Sequence, residues 1–143
     1  MFQADLLKGQ TIFITGGGTG LGRSMASRFA GLGANIFLAA RREKPLRDTT
    51  EEIKQGGAQA AWACCDVRDF ASVEAAVQKA CEALGRVDIL VNNAAGNFIS
   101  PTERLSPNAF AAVVGIVLQG AFNCTLALGR RWIQAGQPGT VLN

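Results

Sequence analysis

Thr15-Gly16-Gly17-Gly18-Thr19-Gly20-Leu21-Gly22 is the stretch that decides the fold. A short apolar run, Thr11–Ile14, precedes it. From Gly20 to Leu32 the spacing becomes helical, with Leu21, Met25, Ala26, Phe29 and Leu32 on one face. A strand therefore becomes a helix through glycine. Without β-carbons the backbone turns tightly and approaches a pyrophosphate, whose charge the helix N-terminus stabilises. Gly22 also lets the helix pack closely on the sheet. A glycine-rich turn that binds nothing is the alternative, and the strand–turn–helix context favours the phosphate-binding turn. Gly16, Gly18, Thr19, Gly20, Leu21 and Gly22 are its binding candidates.

Outward from that turn, strands and helices alternate. Gly33 stops the first helix, and Ile36–Ala40 is a second buried strand. Pro45 to about Gln55 is the next helix, opened by the proline and stopped by Gly56-Gly57. Ala58–Cys65 is a third strand. Asp69 caps a helix that buries Val73, Ala76, Val77, Ala80 and Leu84. Val87–Val91 is a fourth strand, bounded by Asn92-Asn93. Ser106-Pro107 opens a long helix to about Ala135, apolar almost all round between Phe110 and Leu128. Such a helix is buried on more than one side, against its own sheet and a partner subunit. Gly136-Gln137-Pro138 ends it, and Gly139–Asn143 begins a fifth strand within which the sequence stops. The expected class is α/β, a Rossmann-type doubly wound parallel sheet with helices on both faces. Residues 1–143 form a nucleotide-binding domain in this reading, the N-terminal part of a single larger domain.

Composition excludes several classes. At 143 residues, 48% hydrophobic and 17% charged, the chain is globular, with room for one core. The net charge of +3 is spread without a basic block, an ordinary solvated surface and no footprint for nucleic acid or membrane. Gly, Pro or a charge interrupts each apolar run short of membrane-spanning length. The opening MFQADLLKGQ has no secretory signal pattern. Four cysteines form no CxxC pair and have no histidine partners, so neither metal nor disulfide framework is expected. Cys64, Cys65 and Cys81 read as small buried thiols in a reducing compartment, the cytoplasm. There is no histidine and no tyrosine. Catalysis by this chain alone would fall to Lys, Asp/Glu, Cys or a bound water.

The TGxxxGxG spacing of Thr15–Gly22 resembles the short-chain dehydrogenase/reductase family, and so does Asn92-Asn93-Ala94-Ala95-Gly96 after the fourth strand. The resemblance runs over the whole chain. An NAD-selective site of this kind places a carboxylate at the end of the second strand. Here that stretch reads Ala39-Ala40-Arg41-Arg42. A guanidinium suits a 2′-phosphate, so NADP(H) is the expected cofactor, held by Arg41 first and Arg42 second. The alternative is that both arginines point into water. After the third strand comes Cys65-Asp66-Val67-Arg68-Asp69. The resemblance implies that Asp66 accepts from the adenine amine and that the Val67 N–H donates to the ring. It also implies that Asn93, Ala94, Ala95 and Gly96 form the floor under the nicotinamide ribose. One asparagine amide ties neighbouring strands, and for Asn93 that role weighs as much as cofactor contact.

The longer segment from Asn92 through Gly96-Asn97-Phe98-Ile99-Ser100-Pro101-Thr102-Glu103-Arg104 to Ala109 is similar to the 2,4-dienoyl-CoA reductases. Typical short-chain dehydrogenases carry a catalytic asparagine three residues before a glycine in the following helix. Here Val117 holds that position before Gly120, a loss the dienoyl-CoA reductases share. The resemblance implies hydride delivery from NADPH to a conjugated dienoyl thioester, an auxiliary step of fatty acid oxidation. The substrate is then an acyl-CoA. Asn97 would hydrogen-bond the thioester oxygen as charge develops, or else cap its loop. The family's serine, tyrosine and lysine follow the fifth strand, so the 143-residue chain alone is expected to be inactive. A homo-oligomer, dimer or tetramer, is expected through the helix around 107–135. Two other readings stay open: a non-catalytic NADP(H)-binding module, and a short-chain dehydrogenase acting on a ketone or alcohol.

Overall fold

A computed structural model describes residues 2–143. Its strands are Thr11–Thr15 (β1), Asn35–Ala40 (β2), Ala60–Cys64 (β3), Ile89–Val91 (β4) and Thr140–Leu142 (β5). They pair in parallel in the order β3-β2-β1-β4-β5. The helices are Gly20–Ala30 (α1), Glu43–Gln55 (α2), Phe70–Leu84 (α3), Pro107–Val114 (α4) and Gly120–Gln134 (α5). A π-helical turn, Gly115–Gln119, joins α4 to α5, and Thr102–Arg104 forms a short 3-10 turn.

The alternation of β1 explains the two helical layers. Ile12 and Ile14 pack on one side with Ala26 of α1 and with Leu46 and Ile53 of α2. Phe13 faces the opposite side, in a core shared with Val73 and Val77 of α3 and with Cys124 and Leu128 of α5. Successive side chains thus feed two separate cores, and the strand reads as continuously apolar because both faces are covered. Phe13 stacks on Phe37 of β2, ring centroids 5.2 Å apart. Burying a side chain of that size contributes about 1.5–3 kcal/mol. The sequence of connections reverses direction at β1, which pairs with β2 on one side and β4 on the other. Such a switch point opens a crevice at the carboxyl ends of the strands.

Local signals set several boundaries. Asp69 caps α3 by accepting from the Ala71 N–H at 3.0 Å, and Ser106 caps α4 by accepting from the Ala109 N–H at 3.1 Å. Other expectations need correction. α2 begins at Glu43, two residues before Pro45. A proline in the first turn displaces no hydrogen bond, because those N–H groups have no partner within the helix. Leu21 does not join the buried face of α1. It is 77% exposed, and the neighbouring Gly22 is the first-turn residue that packs inward, against the glycine turn. Cys65 is buried and Cys81 half-buried, but Cys64 is exposed on the outer strand β3. The fourth strand shortens to Ile89–Val91, and the Val87 carbonyl accepts instead from the Trp132 indole N–H at 2.7 Å.

The long helix departs most. The π turn interrupts it, and Pro107–Gln134 is 28 residues, long and apolar enough to cross a membrane by length and composition. The expectation that every apolar run falls short of that length is therefore wrong. In this fold the helix is a covering layer. Cys124, Ala127, Leu128 and Trp132 sit in the core, while Phe110, Leu118 and Phe122 point outward at about 60–68% exposure. Among the described residues this chain supplies cover for the sheet-facing side of the helix alone.

Candidate functional site

The carboxyl ends of β1, β2, β3 and β4 enclose a cavity of about 540 Å³. Ligand pockets commonly span roughly 300–1,000 Å³. The glycine turn contributes Gly16, Gly18 and Thr19 to its wall, and the end of β2 contributes Arg41 and Arg42. Asp66 and Val67 line it after β3, and Asn93, Ala94 and Ala95 after β4. Gly20, Leu21, Gly22, Gly96 and Asn97 lie off the wall. Cys65, Pro45 and Ile116 line it without having been singled out by the sequence.

At Gly16 and Gly22 the turn has no room for a side chain. Gly16 has φ +66, and a β-carbon there would stand 2.9 Å from the Asn93 amide nitrogen. A β-carbon on Gly22 would strike the Gly16 carbonyl oxygen and approach the same amide to 2.6 Å. Helix α1 therefore starts in direct contact with the turn. From the other side, buried Thr49 of α2 donates its hydroxyl to the Gly18 carbonyl at 3.2 Å. Thr15 Oγ1 accepts the backbone N–H groups of Asn93 and Ala94 at 3.0 and 2.9 Å. The Asn93 amide donates to the Thr15 carbonyl at 2.9 Å. Asn93 is thus a tie between β1 and β4 that also lines the cavity. Gly96 packs against Ile116 of the wall, where a β-carbon would come 2.9 Å from Ile116 Cδ1.

At the end of β2, Arg41 and Arg42 are exposed, and among the described residues neither has a carboxylate in ion-pair range. The Asp66 carboxylate is different. Arg68, which the sequence reading passed over, grips it with Nε at 2.9 Å and Nη2 at 2.6 Å. The hydrogen-bonded Arg68 side chain, more than the nearby Arg41 charge, holds the Asp66 carboxyl down to about 2. Asp66 is therefore an acceptor only at neutral pH. Val67 is fixed from the long helix, where buried Asn123 donates to its carbonyl at 2.9 Å. Gly120 leaves room for it, since a β-carbon there would stand 2.5 Å from Val67 Cγ2.

Burial pushes the Cys65 thiol up and the Cys124 thiol up to about 12. Neither supplies a thiolate nucleophile. Asn97 is exposed in the loop after β4. Val117 lies within the π turn. Such turns often occur at functional positions along helices.

Residues 10–143 match the family model described as short chain dehydrogenase. A probable 2,4-dienoyl-CoA reductase of Bacillus subtilis is 42% identical over 134 residues, 94% of this chain and 53% of that protein. A probable 2,4-dienoyl-CoA reductase of Caenorhabditis elegans is 48% identical over 131 residues, 90% of this chain and 42% of that protein. The chain thus spans about half the length of the curated relatives it matches. Among solved structures, a short chain dehydrogenase from Bacillus anthracis superposes with TM-score 0.87 at 41% identity, covering 92% of this chain and 55% of that one. A citronellol catabolism dehydrogenase of Pseudomonas aeruginosa gives TM-score 0.88 at 33% identity, covering 99% and 57%. On its glycine turn, its parallel sheet and these matches, the chain belongs to the short-chain dehydrogenase family.

Proposed function

We propose that this chain is the nucleotide-binding part of an NADP(H)-dependent oxidoreductase that reduces 2,4-dienoyl-CoA thioesters. The observation that carries the cofactor choice is the pair Arg41 and Arg42 at the cavity wall, without carboxylate partners among the described residues. Guanidinium groups left free at that point match a 2′-phosphate and have no use for a free hydroxyl. The remaining wall fits the rest of the dinucleotide: a glycine-rich turn for the pyrophosphate, and an ionised Asp66 for an amino group. Bound there, NADP(H) supplies the hydride.

This chain's residues bind and orient. Gly16, Gly18 and Thr19 face the pyrophosphate, with the N-terminus of α1 favouring its charge. Gly20, Leu21 and Gly22 take part through the turn and helix they build. Asn93, Ala94, Ala95 and Gly96 shape the floor beneath the nicotinamide ribose. Asn97 donates to the thioester oxygen as that oxygen gains charge. The names of the relatives favour the dienoyl-CoA substrate. The same proposal includes a homo-oligomer formed on the outward face of α4–α5 and a cytoplasmic location, while a relative in Arabidopsis thaliana is named a peroxisomal reductase. An alcohol-type dehydrogenase is the second reading, favoured by the fold match to the citronellol catabolism dehydrogenase.

The test is the rate of NADPH consumption by the complete protein with a 2,4-dienoyl-CoA and with a simple ketone. Preference for the dienoyl-CoA is expected. Ketone turnover with an inert dienoyl-CoA would establish the second reading, and no turnover of either would favour a binding module.

A further inference from the structure

Arg68 stands two residues beyond Asp66 and folds back on it. Its backbone N–H donates to Oδ1 at 3.1 Å, its Nε to Oδ1 at 2.9 Å and its Nη2 to Oδ2 at 2.6 Å. The fork therefore engages both carboxylate oxygens from one side. Its aliphatic stem lies against Gly115, the first residue of the π turn, where a β-carbon would stand 3.6 Å from Arg68 Cδ and 3.9 Å from Cγ. Asp66, Val67 and Ile116 line the cavity and Arg68 does not. Arg68 is bonded to the wall through Asp66.

A carboxylate has about four lone-pair sites, and a guanidinium fork takes those on one edge. The sites that remain are fixed in direction. Because Asp66 is ionised, they accept and never donate. They match an amino group and repel a carbonyl oxygen placed at the same point. Without the fork, only backbone contact would restrain the side chain. It would then turn toward a ring N–H, or make way for water.

We propose that Arg68 is a positioning residue for base selection: by clamping both Asp66 oxygens it aims the carboxylate at a purine amino group and makes the site select adenine over a 6-oxo purine. The proposal rests on reading the cavity as the dinucleotide site. It adds the residue that sets how strictly the base is read.

The experiment compares dissociation constants of NADPH and its hypoxanthine counterpart, in which a 6-oxo group replaces the 6-amino group. Fluorescence titration is performed on the complete protein, on Arg68→Ala and on Arg68→Lys, with melting curves for each. The unmutated protein is expected to favour NADPH by about tenfold or more, the scale of one hydrogen bond to a charged group. Arg68→Ala should compress that ratio to about threefold or less, mainly by weakening NADPH. Arg68→Lys keeps the charge without the fork and should recover part of the ratio. If Arg68→Ala does not fold, Arg68→Gln, which keeps the stem over Gly115, is read in its place. An unchanged ratio in the Arg68 variants, or a parallel loss for both nucleotides, overturns the positioning role alone. No preference in the unmutated protein overturns the adenine reading of Asp66 and the role of Arg68 with it.

Discussion

Thr15 and Asn93 lock the ends of β1 and β4 reciprocally: the Thr15 hydroxyl accepts the Asn93 backbone N–H at 3.0 Å, and the Asn93 side-chain amide donates to the Thr15 carbonyl at 2.9 Å. The same hydroxyl accepts the Ala94 N–H at 2.9 Å and donates to the Val91 carbonyl. One buried hydroxyl thus organises the last residue of β1 and the first residues of the loop after β4. Those are the two segments that meet at the switch point of the sheet. Thr15→Val keeps the shape but leaves two N–H groups without their acceptor. It should lower stability by about 2 kcal/mol. Urea unfolding checks this, and Thr15→Ser, which restores the acceptor, should regain most of the loss.

Gly22→Ala tests the close start of α1. Its β-carbon would meet the Gly16 carbonyl and, at 2.6 Å, the Asn93 amide, both parts of the locked framework. Overpacking of that kind costs about 1–3 kcal/mol. Nucleotide affinity should fall too, because the turn must shift to make room. Gly31→Ala is the control: its φ is −66 and its β-carbon makes only ordinary contact at 3.5 Å. It should be neutral or slightly stabilising in the same unfolding series.

Asp66 predicts an acid dependence. Its folded carboxyl lies at about 2, below the ordinary 3.8, because Arg68 hydrogen-bonds the charged form. A depressed folded value means that its stabilisation is complete above about pH 4. It is lost as pH falls toward about 2. Asp66→Asn should therefore be less stable than the unmutated protein at pH 6, on the order of 1 kcal/mol after solvent screening. The gap should close as pH falls through that window. Urea unfolding at several pH values measures it, and a gap that widens in acid would contradict the pairing.

Much of the fold was legible because it depends on short-range apolar patterns. Glycine after Ile-Phe-Ile marks the end of β1, and Asp69 and Ser106 mark helix starts by their own side chains. The errors have physical causes. Periodicity places Leu21 on the inner face of α1, but in that first turn it is Gly22 that meets the glycine turn, and Leu21 is left exposed. Cys64 reads as buried until β3 is known to be an outer strand. The π turn changes the backbone hydrogen-bonding pattern without changing the run of apolar residues, so Gly115–Gln119 looks like ordinary helix. Asn93 was half legible, as one of two asparagines able to tie strands. Arg68 was not, since a grip across two residues in a loop has no periodic signature. Only the Asp-x-Arg spacing itself hints at it.

Asn97 separates substrate chemistry from loop structure. In the complete protein, Asn97→Ala should lower turnover of a 2,4-dienoyl-CoA by about 10²–10³, the effect of removing one donor from a developing oxyanion. NADPH affinity and melting temperature should barely change, because the side chain is exposed and off the cavity wall. If turnover survives, Asn97 shapes its loop and the dienoyl-CoA assignment loses its one donor in this chain.

Arg41 and Arg42 carry the proposed selectivity of this site for NADP(H). The most direct measurement is the pair of dissociation constants for NADPH and NADH, for the complete protein and for Arg41→Ala. A charge-assisted contact to the 2′-phosphate should favour NADPH by about tenfold or more, and Arg41→Ala should remove most of that preference while leaving NADH binding nearly unchanged. Equal affinity for the two nucleotides in the unmutated protein, or tighter binding of NADH, would contradict the account.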